Sequence, residues 1–460
     1  MLFENATIIT MDPQRRILAD GAIVVQGDRI AAVGKLAALR QQFPHEERFD
    51  CRGGIVLPGL IDTHVHMAQA LIRGCADDLA LLDWLSQRVW VLQGHYTADD
   101  GRASAALCIL EMLKSGTTAF VETMIAWRYG FDGIAELVRA SGMRAALSKI
   151  VMDIPTYAMQ TSSMYPGMRE ERETSMRQAL DMHAKWHGQA DGRIQVWFGP
   201  RPIGSSTVDL LREVAQIAQE RDMRLDIHFC EVREDVAYIR QNFGLRPTEF
   251  FERLGLLGPR TLLVHAVWLD AEDIATIART GTHISHNPAS NAKLGSGIAP
   301  VPALLQAGVN VSLGCDGGPS NNTYDLLRDL RLAAYVHKAQ ALDPTVVPAE
   351  AVLEMATING AKAMGLESEI GSLEPGKKAD LILVDINKPH LTPNPNPVST
   401  IVHCATGDDV DTVVIDGQIV VRDGHCLTLD EEAVLREARQ RAAEVYRRAG
   451  MAIKPRWPVL

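Results

Sequence analysis

The chain carries no C-x-x-C pair, no long apolar run, few aromatic residues and no surplus of basic ones. Each absence excludes a class. The seven cysteines (Cys51, Cys75, Cys108, Cys230, Cys315, Cys404 and Cys426) are odd in number and scattered. That pattern fits reduced, mostly buried thiols, and neither a disulfide framework nor a structural zinc knuckle. No stretch approaches the roughly 18 uninterrupted apolar residues of a spanning helix, so no membrane partner is expected. Lys+Arg 46 against Asp+Glu 57 leaves a net charge of −11. Phosphate binding wants a clustered positive field, so no nucleic-acid partner is expected either. The opening MLFENATIITMD has no basic start, apolar run and small-residue cleavage site, which predicts a cytoplasmic protein. A small, neutral or cationic ligand suits this acidic chain best.

With 47% hydrophobic and 22% charged residues, the composition is too apolar for a disordered chain. At roughly 150 residues per domain, the 460 residues allow three units, or one barrel of about 250 residues with a satellite. The ends read as β structure. LFENATIITM, GAIVVQGDRIAAVG and FDCRGGIVLPG are short apolar runs broken by Gly and Asp turns, and the texture returns in KADLILVDI and DVDTVVIDGQIVVRDG with Asp-Gly hairpin signals. The expectation is one small β-sandwich assembled from both termini, residues 1–57 and 369–428.

Between them, residues 58–368 alternate strand-like and helix-like segments. Strand candidates run around 61–66, 117–123, 144–152, 194–200, 224–229, 261–266, 282–287 and 309–316. Eight βα units with buried apolar strands predict an α/β (β/α)8 TIM barrel. Residues 429–460 read as a charged C-terminal helix, acidic at its start and basic at its end, with a tail.

Active-site groups of such a barrel sit at the C-terminal strand ends, and here those ends carry His64 and His66, His228, His265, His286 and Asp316. Residues two apart on a strand share a face, so His64 and His66 can ligate one ion. Adding His228 and Asp316 completes three imidazoles and a carboxylate with room for a water, as a catalytic Zn²⁺ or Fe²⁺ requires. Glu231, three residues past His228, is placed to shuttle protons.

The strings PGLIDTHVH (58–66), HFCE (228–231), LLVHA (262–266), SHNPASNAKLGSGIAP (285–300), GCDGGPSNN (314–322) and GSLEPGKKADLILVD (371–385) resemble the amidohydrolase superfamily. The resemblance covers essentially the whole chain. It is narrowest to the mononuclear branch that holds 5′-methylthioadenosine/S-adenosylhomocysteine deaminases and triazine hydrolases. It implies one divalent ion, zinc ahead of iron, on His64, His66, His228 and Asp316. It further implies Glu231 as proton shuttle, with His265 and His286 around the reacting centre. No strand end clearly supplies the bridging carboxylated lysine of binuclear relatives.

The resemblance also makes 73–93 a lid over the pocket. Trp84 is then either a stacking platform for a flat ring or a core tryptophan. The nucleoside deaminases of the branch place Glu at Gln93, Arg at Lys149 and His at Arg201. Gln93, with Gln69 and GSGIAPVP (295–302), is closer to the triazine hydrolases. Arg201 is either an exposed loop residue or a contact for an oxo or anionic substituent. Lys149 is either a snorkelling side chain or a substrate contact. His286 is either a substrate hydrogen-bonder or a loop-fixing residue, and Ser320 is expected at the leaving group.

The expected activity is hydrolytic deamination of an amino-substituted aromatic N-heterocycle of purine, pterin or s-triazine type, a C–N hydrolase of cyclic amidines. The alternative is removal of chloride or alkylamine from an s-triazine. A non-catalytic scaffold on the same fold would have lost ligand positions, which this chain retains. Family resemblance also implies a homo-oligomer.

Overall fold

The computed structural model describes residues 1–156, 164–454 and 456–458. Eight strand positions form one parallel ring: Leu60–His66, Thr117–Ile125, Arg144–Val151, Ile194–Pro200, Leu225–Phe229, Thr261–His265, His283–His286 and Val311–Leu313, the last resuming at Asp316–Gly317. The eighth position closes the ring. Its first part pairs Ile284 with Val311, and after two residues its second part pairs Asp316 with Val65 of the first strand. Helices follow the strands in turn, from Ala98–Lys114 to Leu326–Ala341. Thr97 caps the first of these in a reciprocal box with Asp100, which satisfies donors that the first turn leaves open.

The strands are buried along nearly their whole length, as a sheet covered by helices demands. At the N-terminal end of the ring, Ile61, Val121, Trp197 and Leu262 pack against Ala361 and Met364 of the helix Ile358–Met364 and plug the lumen with apolar volume. The C-terminal end is left to polar groups.

Both chain termini build a second, mixed sheet of nine strands. Leu2–Ile9 lies between Ile17–Gln26 and Ile55–Pro58, and Leu381–Val384 joins the C-terminal strands to Ile55–Pro58. Successive residues of a strand face opposite ways. Ile8, Val56 and Leu383 therefore enter a core internal to this unit, while Ile9, Ile55 and Val384 join the barrel's core. The C-terminal helix Glu431–Arg448 packs on Ala98–Lys114, where Arg448 donates to Asp100. All seven cysteines are free thiols, five of them buried. No helix among the described residues is long and apolar enough to cross a membrane.

One buried carboxyl near the ring closure has a measurable consequence. Asp329 is 1% exposed, accepts from Asn321 Nδ2 at 2.8 Å, and burial pushes its pKa up to about 8. The folded chain then binds a proton there that the unfolded chain releases near 3.8, so this site's contribution to stability is lost as pH rises from about 4 to about 8. Asp329→Asn is expected to raise the melting temperature by a few degrees at pH 8, about 1 kcal/mol or more, and by less at pH 5. Thermal melts at the two pH values measure the difference.

Candidate active site

The strand ends converge as their spacing predicts. His64 Nε2 and His66 Nε2 lie 3.3 and 3.4 Å from the same Asp316 oxygen, Oδ1. The atoms able to hold a metal ion fall into two triads sharing His64, one with His66 and Asp316, the other with His228 and His265. Within each triad they lie within 4.8 Å of one another. His66 Nδ1–H donates to Thr123 O at 2.8 Å, and His64 Nδ1 pairs with Thr123 Oγ1 at 2.9 Å. Both rings are thereby turned with Nε2 into the cluster, and His64 Nε2, fully buried, faces Asp316 Oδ1 at 3.3 Å without forming a hydrogen bond. A buried imidazole nitrogen that makes no hydrogen bond, set among other imidazoles and a carboxylate, fits a divalent metal ion.

Electrostatics agree with the geometry. Burial lowers His66 to about 3 and His265 to about 4, and carries His228 well below the ordinary histidine value, with neighbouring rings adding to the effect. Burial alone would raise Asp316, but the flanking His64, His66 and His265 outweigh it and hold the carboxylate ionised. Neutral imidazoles with one carboxylate are the protonation states a metal needs. Glu231 shifts the opposite way. Burial, then the charges of Asp316 and Asp235, raise it well above the carboxylate range, against a hydrogen bond from Ser296. Its Oε2 stands 3.6 Å from His265 Nε2.

Several carriers sit on unusual backbone. Met124, Cys230, His265 and Asp316 have φ of 68°, 49°, 72° and 68°, in the left-handed region that non-glycine residues avoid. Such positions cost on the order of 1–3 kcal/mol each and persist where surrounding packing imposes them. At Cys230 the reversal lies between His228 and Glu231. Gly314 shows how tightly the ring closes: a Cβ there would stand 2.6 Å from His64 Cβ and 2.8 Å from His64 N. Gly314→Ala is expected to displace His64 and lower metal content and turnover at least tenfold, read by metal analysis beside an assay.

Over this floor lies a pocket walled by Gln69, Trp84, Trp90, Gln93, Tyr129 and Arg201, with Glu231, His265 and Asp316 at its base. Five wall residues come from one helical segment, Leu81–Gln93, which contains a π turn at Leu85–Val89. Leu81, Trp84 and Leu85 share a face at i, i+3 and i+4. At 3.6 residues per turn, Trp90 and Gln93 would point roughly the other way. The π turn adds about one residue and rotates them by about 100° back over the pocket. Trp84, 3% exposed, also donates from Nε1 to Pro319 O at 3.4 Å.

Not every expected residue is here. His286 lies outside the lining, its Nε2 3.0 Å from His337 Nε2, which ties its strand to the helix Leu326–Ala341. Ser320 is turned away as well. Its hydroxyl donates to Gly317 O and accepts from Gly317 N–H, each at 3.0 Å, so it closes the turn after Asp316. Lys149 is fully buried but reaches Glu170 at 2.6 Å instead of the pocket. Trp90, Tyr129 and Met168 line the pocket as well, though none of them stands at a strand end or in one of the motifs. Trp90 stands three residues before Gln93, a spacing that would have paired the two, but only the π turn directs that face inward.

Residues 55–420 match the amidohydrolase family, and residues 21–45 match the imidazolonepropionase-like composite domain of bacteria. The 5′-deoxyadenosine deaminase of Methanosarcina mazei is 37% identical over 448 residues, 97% of this chain and 99% of that protein. The 5-methylthioadenosine/S-adenosylhomocysteine deaminase of Desulforudis audaxviator is 39% identical over 442 residues, 96% and 98% of the two chains. Among solved structures, a zinc-bound adenosine deaminase from Xanthomonas campestris superposes with a TM-score of 0.90 at 30% identity, covering 97% of this chain and 98% of that one. A zinc-bound atrazine chlorohydrolase from Arthrobacter aurescens gives 0.87 at 27% identity, covering 96% and 99%. With the family match running from the last N-terminal strand through the closed ring to the C-terminal hairpin, the chain belongs to the amidohydrolase family.

Proposed function

We propose that this protein is a metal-dependent aminohydrolase that replaces an exocyclic amine of a flat N-heterocycle by oxygen and releases ammonia. The observation that carries the reading is a buried Glu231 with raised pKa, 3.6 Å from His265, at the base of a tryptophan-walled pocket that also holds Asp316. His64, His66, His228 and Asp316 would hold one divalent ion, zinc on this reading. When bound, such an ion acts as a Lewis acid and lowers the pKa of water from 15.7 to about 7.

The protein groups then divide the proton transfers. Glu231, protonated when the ring arrives, gives its proton to a ring nitrogen as the water oxygen adds to the amino-bearing carbon. His265 presents Nε2 to the site and orients the attacking oxygen. As that oxygen becomes the oxo group, its two protons leave it. Glu231, now a carboxylate, takes one and hands it to the amine, the C–N bond breaks and ammonia departs. Asp316 accepts the other and passes it to Glu231, which is left protonated for the next ring. The base of the site is buried, so these transfers run through side chains and not through bulk solvent.

Trp84 and Trp90 support a flat aromatic substrate. Arg201, 6% exposed and stacked 5.6 Å from the Trp90 ring, supports an oxo or anionic substituent on it. Gln69 and Gln93 supply carboxamides that pair with ring nitrogens or an exocyclic amine. A carboxylate would hold a vicinal diol better than the Gln93 carboxamide does. The test is an ammonia-release screen across aminopurines, pterins, aminotriazines and adenosine derivatives, with Gln93→Glu beside the parent. Oxo-bearing amino heterocycles should lead in the parent, and Gln93→Glu should shift kcat/KM towards nucleosides by about tenfold. Failure of every ring to release ammonia would sink the reading. A second reading, loss of chloride or alkylamine from a triazine, is favoured by Gln93 and by the likeness to the chlorohydrolase. Chloride and alkylamine are read in the same screen.

A further inference from the structure

The segment 290–296 contributes no metal ligand, yet its side chains reach each of the three groups assigned to proton handling. Ser290 Oγ donates to Asp316 Oδ2 at 2.5 Å. That occupies the oxygen that faces away from the histidines, so Oδ1 is the one presented to His64 and His66. Asn291 Oδ1 stands 2.9 Å from His265 Nδ1. A carboxamide oxygen can only accept, so the ring proton belongs on Nδ1 and the Nε2 lone pair faces Glu231 and the reacting centre. Ser296 Oγ lies 3.5 Å from Glu231 Oε1.

The segment is itself anchored at several points. Asn291 O accepts from Ser296 N–H at 2.9 Å, Trp268 Nε1 donates to Ser296 O at 2.9 Å, and Lys293 Nζ reaches Pro319 O and Asp77 at 2.8 Å. Ser290 and Asn291 are 0% and 1% exposed, so their rotamers are set by packing. Metal ligands and general bases are commonly oriented by such outer hydrogen bonds, whose loss typically costs 10–100-fold in affinity or activity.

We infer that Ser290 and Asn291 are positioning residues, Ser290 aiming Asp316 at the metal and Asn291 fixing the tautomer of His265. The inference rests on the aminohydrolase reading for its kinetic consequence, and its structural consequence can be measured without turnover.

The experiment uses the zinc-loaded full chain with ¹⁵N-labelled histidines. Asn291→Ala should lower kcat 10–100-fold with KM changed less than about threefold. It should also convert the His265 imidazole signals from one tautomer to a mixture, with Asn291→Asp, which keeps the acceptor, restoring both. Ser290→Ala should weaken zinc retention 10–100-fold in chelator competition, with Ser290→Thr restoring it. Thermal melts within a few degrees of the parent separate these effects from unfolding. An unchanged ¹⁵N pattern in Asn291→Ala, or unchanged zinc retention in Ser290→Ala, would overturn the corresponding assignment. If no ring releases ammonia, the aminohydrolase reading fails, while the ¹⁵N and chelator measurements still decide the orientation.

Discussion

Glu231→Gln should lower kcat by roughly 10²–10⁴, the usual contribution of a positioned general acid–base group, and leave zinc content unchanged. Glutamine matches glutamate in shape and can still accept from Ser296, but it has no proton to lend. It leaves His64, His66, His228 and Asp316 untouched, so a selective loss of kcat would separate proton transfer from metal binding. Stability should move the other way. The folded-state pKa of Glu231 is raised, chiefly by burial, so the stability it contributes is present below the unfolded value and lost as pH rises through the folded one. At neutral pH the variant should therefore melt no lower than the parent. KM should hold or fall, because the lost interaction belongs to the transition state. Turnover within about threefold of the parent would remove Glu231 from the mechanism.

Metal removal should have a larger effect still. Dialysis of the full chain against a strong chelator should abolish turnover, and one equivalent of a divalent ion should restore it. A Lewis acid at the site is worth several kcal/mol of barrier, and each 1.36 kcal/mol is tenfold in rate. The melting temperature should fall with the ion, since ligand at about 1,000 times its dissociation constant stabilises by about 4 kcal/mol. His64→Ala should reproduce both effects, because His64 belongs to both ligand triads. Acidification tests the same centre. Burial lowers His66 to about 3 and carries His228 well below the ordinary histidine value, so protons compete poorly for these two proposed ligands through the range where an exposed histidine, near 6.5, would already be charged. Metal retention measured against pH should break well below 6.5. Full turnover in the metal-stripped chain, or loss of the ion near pH 6.5, would contradict this account.

The distribution of Glu231, His265 and Asp316 over separate strands explains why so much of the site could be read from the chain. A parallel barrel brings every strand's C-terminal end to one face, so a polar residue ending an apolar run already declares its destination. His64, His66, His228, His265 and Asp316 all obey that rule, and they meet within a few ångström. The β texture at both ends was equally legible, because Asp-Gly turns and short apolar runs are local signals. The rule has an exception, and residues on helices and turns have no such rule at all. His286 ends a strand like the others, yet its ring pairs with His337, 51 residues on, a partner visible only once the helix Leu326–Ala341 is packed. Ser320 follows the candidate ligand Asp316 closely, but the turn it closes directs its hydroxyl back to Gly317. Ser290 and Asn291 stand inside the SHNPASN run, with nothing local to say which atoms they meet.

The sequence by itself determined the fold class, the acidic charge and which polar residues end the strands of the ring, because hydrophobic period, turn chemistry and residue type at strand ends are properties of short segments. Only the tertiary structure decided which atoms face which. The left-handed backbone at Met124, Cys230, His265 and Asp316, the π turn that swings Trp90 and Gln93 over the pocket, and the close approach of His64 to Gly314 all arise where distant segments are packed together. These are many-body constraints of close packing, and no single segment of the chain encodes them.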